Sequence, residues 1–252
     1  MAHPPHFRIG TAGWTLPKQH AAAFTLEGTH LERYSTVLNC VEINSSFYRS
    51  HMRKTWERWS ASTPSNFQFS VKVPKAITHT AKLIDCGAFL QTFIEECHGL
   101  GEKLGPVLVQ LPPKLAFDSG ITHEFFTTLR ELHSGLTTCE PRHASWFTPE
   151  ADRLLRDFNI ARVAADPPAG SPLASTPGGW QGLHYYRLHG APRTYYSDYN
   201  SASLRALATT LQKSSATQTW IIFDNTALGH ATANALALAN LLRITEEHQC
   251  EC

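Results

Sequence analysis

The sequence predicts a single (β/α)8 barrel of the TIM type, because strand-like and helix-like segments alternate along its whole length. Eight short apolar runs recur with helical patterns between them over 252 residues, the usual length of such a barrel. Nearly every run ends at a polar or charged residue. No glycine-rich phosphate loop follows an early strand, which disfavours an open doubly wound sheet, the alternative α/β fold. We expect one domain over residues 1–252, with a frayed tail at about 246–252.

The predicted strands are residues 7–13, 37–44, 67–74, 105–112, 136–143, 161–166, 183–190 and 219–226. Helices are predicted between them by capping signals or by periodicity. Thr148 and Pro149 form an N-cap followed by proline at the first helical position. Apolar residues recur every three or four positions over 83–100, Phe89 among them, and again over 235–244.

The sixth β/α unit is predicted to be irregular. The residues between Asp166 and Leu183 are rich in proline, glycine and serine and show no helical period. A structureless connection of this length is uncommon in a compact domain and is usually functional. We therefore expect a loop on the ligand side of the barrel in place of a full helix.

Charge and composition exclude several classes of function. The formal net charge is +1, so the chain lacks the basic surface typical of proteins that bind double-stranded nucleic acid. No basic leader precedes an apolar segment, and no run approaches 18 apolar residues. We therefore expect a cytoplasmic location and no association with a membrane. The six cysteines are too sparse for a disulfide framework, and Cys250 and Cys252 form an incomplete metal site at the terminus.

Polar residues at the carboxyl ends of the predicted strands indicate where a ligand would bind. A parallel strand covered on both faces should be almost entirely apolar. In a barrel, the carboxyl ends of the strands share one rim, where active sites lie. The candidates are Glu42, Asn44, Lys72, Gln110, Glu140, Arg142, Asp166, Arg187, His189 and Asn225.

Seven motifs in a fixed order give the chain a family resemblance. They are GTAGW (10–14), VEINSSFYR (41–49), FSVKVP (69–74), LGPVLVQLPP (104–113), EPRHASW (140–146), RLHG (187–190) and FDN (223–225). The chain resembles the YecE-like family, domain of unknown function 72. The resemblance implies a TIM-barrel-like fold and no settled reaction, although the family is sometimes described as related to sugar isomerases. Ala12, Pro141, Ala144 and Asp224 depart from the family pattern, and Pro141 requires the fifth strand to end by Glu140 or to bulge.

The leading hypothesis is an acid/base enzyme, an isomerase, lyase or hydrolase, that needs no cofactor and acts on a small sugar-like or phosphorylated ligand. Glu42 and Glu140 would carry protons, with His189 and Lys72 as further catalytic candidates. The predicted ligand-binding residues are Trp14, Asn44, Tyr48, Gln110, Arg142, His143, Trp146, Asp166, Arg187 and Asn225. The aromatic members would cover the apolar face of a sugar or base.

Three alternatives remain open at this point. The charges could be structural ion pairs, Glu42 with Lys72 and Glu140 with Arg142. The same pocket could serve a metal-dependent phosphodiesterase, nuclease or sugar isomerase, although its cations oppose the binding of a divalent ion. It could also bind a ligand without catalysis. The sequence leaves the substrate and the oligomeric state open.

Overall fold

Parallel strands form two hydrogen-bonded ladders in the computed structural model, which describes residues 6–250 and the side chains of residues 7–242. The strands are β1 (His6–Thr11), β2 (Cys40–Ile43), β3 (Gln68–Lys72), β4 (Leu104–Gln110), β5 (Thr137–Glu140), β6 (Ile160–Arg162), β7 (Ala164–Asp166), β8 (Gly178–Gly179), β9 (Leu183–Leu188) and β10 (Gln218–Phe223). One ladder runs β2-β3-β4-β5-β6 and another runs β7-β9-β10-β1, all parallel. A parallel bridge between Ala12 and Glu42 joins β1 to β2.

The two ladders also meet at a second junction, between β6 and β7, which lies within one continuous segment of the chain. The predicted sixth strand is divided at Val163, so that β6 pairs with β5 and β7 pairs with β9. Counting β6 and β7 as one position gives eight strand positions and a (β/α)8 barrel, which confirms the predicted fold class. Strand 5 ends at Glu140, immediately before Pro141, which has no N–H to donate to a ladder.

Helices cover the outside of the barrel. They are α1 (His30–Ser35), α2 (Arg53–Ala61), α3 (Gly87–Cys97), α4 (Ser119–Leu132), α5 (Pro149–Asp157), α6 (Ser201–Gln212) and α7 (His230–Cys250). Thr148 caps α5 as predicted, its side chain accepting from the Ala151 N–H. Within the described residues, no helix combines the length and apolar character needed to cross a membrane. Glu251, Cys252 and the side chains of the predicted frayed tail lie outside the described residues.

No full helix follows β7, which confirms the predicted irregularity of the sixth unit. The chain first passes over the rim, where Gly170 lies against the backbone of Arg142. It then makes a short 3-10 turn at Pro172–Ser175 and pairs, through β8, antiparallel to β6. The loop therefore lies at the carboxyl-end rim only at its beginning, and its second half returns along the barrel wall.

Strand alternation separates two apolar cores. Val41, Val71 and Val107 belong to the larger core, which lies between strands and helices. Cys40, Leu108, Ala161, Tyr185 and Trp220 belong to a second cluster inside the barrel. The interior leaves little room at β1, because a methyl group at Gly10 would overlap the carbonyl oxygen of Cys40.

We expect Gly10→Ala to destabilise the protein by at least about 2 kcal/mol, because the overlap is with backbone that cannot move freely. Gly87→Ala is the matched control. The added methyl would meet nothing closer than 3.7 Å there, and the change should stay within about 1 kcal/mol. Denaturant unfolding of both variants measures the difference, and equal stabilities would show that the barrel interior is less tightly packed than described.

Candidate active site

Side chains from five strands meet at the carboxyl end of the barrel. Each follows an inward-facing residue two positions earlier, as Glu42 follows Cys40 and Arg187 follows Tyr185. This register places both charged residues in one layer above the apolar interior cluster. The structure thus brings Glu42, Lys72, Gln110, Glu140, Arg142, Arg187 and His189 together, as the strand-end pattern predicts.

Arg187 lies at the centre of this layer and is fully buried. Its Nε and Nη2 donate to the two oxygens of Glu42 at 2.9 and 2.7 Å, which is a bidentate pair. Its Nη1 donates to Glu140 Oε2 at 2.5 Å, and Nη2 also reaches Asp224 Oδ2 at 3.1 Å. Gln110 Oε1 accepts a longer bond of 3.4 Å from Nη1. Burial disfavours the charged guanidinium, but the carboxylates outweigh it and hold the pKa of Arg187 well above its ordinary value.

Tyr185 and Ser70 form the floor beneath Glu42. The Tyr185 hydroxyl donates to Glu42 Oε2 at 2.9 Å and lies 2.8 Å from Ser70 Oγ. Burial and the negative charge of Glu42 raise the pKa of Tyr185 well above its ordinary value, so its proton remains in place. Both oxygens of Glu42 are therefore engaged by partners in the described structure, and Glu42 has no solvent exposure.

Glu140 links the centre of the cluster to its outer edge. Arg142 donates to Glu140 Oε1 from Nε at 2.7 Å and from Nη2 at 2.6 Å. Burial favours the neutral carboxyl, but Arg187 and Arg142 hold the pKa of Glu140 well below its ordinary value. The Glu140–Arg142 pair that the sequence allows is thus present, whereas Glu42 pairs with Arg187 and not with Lys72.

His189 lies between two carboxylates. Its Nδ1 is 2.9 Å from Asp224 Oδ2, and its Nε2 is 3.5 Å from Glu140 Oε1. Burial and the charge of Arg187 disfavour the imidazolium, but both carboxylates favour it and the pKa of His189 is raised. The pairing fixes the ring orientation and favours the protonated form of His189.

Lys72 differs from the other charged groups because its Nζ has no ion pair or hydrogen bond to any side chain or carbonyl within residues 7–242. The amine lies 4.2 Å above the centre of the Phe47 ring and is largely buried. Burial first, and then Arg187, lower the pKa of Lys72 to about 8. Lys72 therefore titrates close to neutral pH, which suits proton transfer.

Positive charge dominates the outer edge of the cluster beside Lys72. The pKa of His79 is lowered by burial and by Lys72, Arg142 and Lys75. Arg142 directs two of its nitrogens at Glu140, while Nη1 has no hydrogen-bond partner among the described side chains. A carboxylate-rich inner layer is thus covered by a cation-rich outer layer.

Several predicted ligand-binding residues lie elsewhere than the strand-end pattern suggests. Asn225 is fully buried and donates to Ser197 O and Asn234 Oδ1. The carboxylate of Asp166 accepts from the Tyr199 hydroxyl at 2.7 Å. Both residues hold the loop at 190–199. Within residues 7–242 neither side chain is hydrogen-bonded to the Arg187 cluster, although the Asp166 carbonyl accepts from the His189 N–H at 2.7 Å. Asn44 adopts helical backbone angles, so strand alternation no longer determines its direction.

The aromatic candidates and His143 act mainly in packing. Trp146 is 1% exposed, and its indole N–H donates to Leu115 O. Trp14 packs edge-to-face on Trp59 at 5.1 Å. His143 Nδ1 lies 2.8 Å from Ser145 Oγ at the start of a 3-10 turn. Tyr48 is 80% exposed, whereas Trp14 and His143 are only partly exposed.

Sequence reasoning missed Asp224 as a site residue. A signal was present, because Trp220 and Ile222 face the barrel interior and Asp224 continues their alternation. Tyr185 and Ser70 were missed because a buried tyrosine and serine within a strand resemble ordinary core residues. Within residues 7–242, no three His, Cys, Asp or Glu side chains are grouped as a metal site.

Comparison with known proteins places the chain in a family. The model of the family described as "Protein of unknown function DUF72" matches residues 8–251. The chain belongs to this family, which confirms the resemblance of the seven motifs.

Two named relatives share part of the sequence. UPF0759 protein YecE of Escherichia coli K12 is 33% identical over 104 residues, 41% of this chain and 37% of YecE. UPF0759 protein YunF of Bacillus subtilis 168 is 29% identical, covering 56% of this chain and 52% of YunF. The matched regions thus span about a third to a half of these relatives.

Solved structures share the fold. A DUF72 family protein from Enterococcus faecalis V583 superimposes with a TM-score of 0.79 at 20% identity, over 94% of this chain and 95% of that one. One from Thermotoga maritima MSB8 gives 0.77 at 23% identity, over 94% and 99%.

Glu42→Gln should lower the free energy of unfolding by roughly 3 to 5 kcal/mol, because it leaves Arg187 buried with one fewer charged partner. Glu57→Gln is the matched control. It removes a carboxylate from the exposed Arg53–Glu57 pair, for which we expect a change below about 1 kcal/mol. A loss at Glu42 no larger than that at Glu57 would contradict a structural role and favour the predicted role of Glu42 as proton carrier.

Lys72→Met should stabilise the protein at pH 7 by a few kcal/mol, because folding lowers the pKa of this amine from about 10.5 to about 8. The charged amine is disfavoured in the fold below pH 8. The disadvantage shrinks as pH rises from 8 to 10.5, where the unfolded chain also loses the proton. Urea unfolding at pH 7 and pH 10.5 should therefore show a gain only at the lower pH. Exposed Lys213→Met should show little gain at either pH, and a pH-independent gain at Lys72 would show that the charge is not its cause.

Proposed function

We propose that the protein is an acid/base enzyme acting on a small, sugar-like or phosphorylated ligand at the carboxyl end of the barrel. The observation that carries the proposal is the unpaired Lys72 amine at the edge of a cluster whose other charges are matched. A buried cation that costs stability is typical of a site kept for function.

The charges in the cluster support an anionic ligand. Three carboxylates balance three cations, Glu42, Glu140 and Asp224 against Arg187, Arg142 and Lys72. A protonated His189 adds one positive charge. Arg187 donates hydrogen bonds to most of the oxygens of these three carboxylates. Lys72 and Arg142 Nη1 therefore remain available to bind the oxygens of a phosphate or carboxylate ligand.

Lys72 is the best candidate for proton transfer. Its pKa of about 8 lies near neutral pH, so the amine can both accept and donate a proton. Its position above the Phe47 ring keeps bulk water from one side. Asp224 orients His189, and His189 and Glu140 lie within 3.5 Å as a second pair able to share a proton.

Arg187 and Glu42 have a positioning role in this proposal. Their bidentate pair joins β9 to β2 across the barrel and leaves neither group solvent-accessible. Proton transfer by Glu42 itself would require this pair to open. The role of Glu42 as proton carrier stays a prediction that the Glu42→Gln measurement decides.

Phosphate or a sugar phosphate at about 100 times its dissociation constant should stabilise the native protein by about 2.7 kcal/mol, or several degrees in melting temperature. Lys72→Met should abolish this ligand-induced shift because it removes the unpaired cation, whereas Lys213→Met should retain it. Differential scanning fluorimetry with and without ligand measures the shift within each variant, which separates it from the change in intrinsic stability.

Other outcomes of the same screen favour the alternatives. A shift caused only by divalent metals would favour the metal-dependent phosphodiesterase, nuclease or isomerase. Binding that depends on Lys72 but yields no product with any sugar phosphate would favour a ligand-binding module. An equal shift in wild type and Lys72→Met would contradict the proposed site.

A further inference from the structure

A cavity lies beside Lys72 on the same face of the barrel. Its volume is about 710 Å³, within the range of small-molecule sites. Two loops form it, one following β2 at 46–51 and one following β3 at 74–80, together with α3. Since both loops leave the carboxyl ends of strands, the cavity opens on the side where the charged cluster lies. We call it the aromatic cavity.

Buried apolar side chains form the floor of the aromatic cavity. Trp56, Ile77 and Phe93 line it and are at most 4% exposed. At its mouth, Tyr48 and Phe89 are 80% and 64% exposed. Large apolar groups exposed at the edge of a concave apolar surface are typical of a binding site. The exposure of Phe89 also departs from its place in the apolar period of α3, which predicts a buried residue.

Phe47 is the wall that the two sites share. Its ring lines the aromatic cavity, and the Lys72 amine lies 4.2 Å from its centre. The His79 ring contacts the same phenyl edge-to-face at 5.0 Å. The Phe47 ring thus lies between a ligand held by Lys72 and Arg142 and the open volume of the aromatic cavity, whose floor is apolar.

The backbone around the cavity is irregular. Ala76–Thr80 forms a π-helical turn that lines the cavity, and such turns are frequent at functional sites. Soon after it, Lys82, Leu83 and Asp85 have positive φ angles of 54°, 73° and 47°. Left-handed conformations of non-glycine residues cost energy and persist where surrounding structure imposes them. A segment held in an unfavourable conformation thus follows the turn that lines the cavity.

We infer that the substrate carries an aromatic ring joined to its anionic group, the anion at Lys72 and Arg142 and the ring in the aromatic cavity. This inference rests on the proposed function. Flat apolar walls formed by Phe47, Tyr48 and Phe89 favour a planar ring over an extended alkyl chain, because aromatic rings gain from edge-to-face contacts. The substrate class is therefore an aryl phosphate or a comparable aryl-linked anion.

Calorimetric titration with 1-naphthyl phosphate and methyl phosphate tests the inference, because the two probes share the anion and differ in the ring. Wild type should bind 1-naphthyl phosphate at least about tenfold more tightly, as expected for burial of an aromatic group. Thr92→Trp, which fills the cavity from an exposed position on α3, should bring the affinity ratio of the two probes close to one. Gln91→Trp places the same ring on the neighbouring residue, which does not line the cavity, and should keep the wild-type ratio.

The outcomes separate this inference from the proposed function. Equal affinities for the two phosphates, both lost in Lys72→Met, would overturn the aromatic cavity and leave the anion site standing. Tight binding of 1-naphthyl phosphate that survives Lys72→Met would overturn the joint ligand. No binding of either phosphate to wild type would overturn both proposals. An affinity ratio lowered by Thr92→Trp and retained by Gln91→Trp would support the inference.

Discussion

The buried charge of Arg187 is the constraint on which the rest of the site depends. A guanidinium without solvent exposure is tolerated only when carboxylates surround it with good geometry. Glu42 supplies a bidentate pair, and Glu140 and Asp224 complete the coordination from β5 and from the residue after β10. Because Glu42 and Glu140 come from strands that do not pair with β9, the ion pairs also fix the relative positions of the strands that carry them.

This arrangement decides which groups remain available for a ligand. The carboxylate oxygens are consumed in neutralising Arg187 and Arg142, so the inner layer has little net charge left to attract a cation. Lys72 lies at the edge of the same layer without a carboxylate within ion-pair distance among residues 7–242. Arg187 thus forms the ion pairs that hold the strands together. Lys72 forms none within residues 7–242, and it is the group whose pKa lies near neutral pH. A division of this kind keeps a buried ion-pair network beside an amine that has no ion pair among the described residues.

Much of the fold and part of the site follow from local sequence. Strand order, the irregular sixth unit and the cap at Thr148 were predictable because they depend on short-range pattern and turn chemistry. Charged strand ends identified Glu42, Glu140 and Arg187, but not their partners, since Glu42 and Arg187 are 145 residues apart. Asp166 and Asn225 were assigned to the pocket because they end predicted strands, but their neighbours Ala165 and Asp224 are the residues that face inward. Phe89 was expected in the core because helical periodicity does not show where neighbouring loops leave a face uncovered.

The strands and the connections that follow their carboxyl ends differ in packing and in backbone conformation. Close contacts at Gly10 and Gly105 leave no space for a side chain within the strands, where Trp220 and Cys40 fill the interior. Beyond the strands, the π-helical turn, the left-handed residues after it and Tyr195 at φ 71° all lie in connections that follow carboxyl ends. Packing is therefore tight where it determines the fold, and conformational strain is concentrated around the rim. Such strain persists only where the surrounding structure imposes it, so packing around the rim holds these connections in their conformations. The unpaired Lys72 amine and the aromatic cavity lie in the same region.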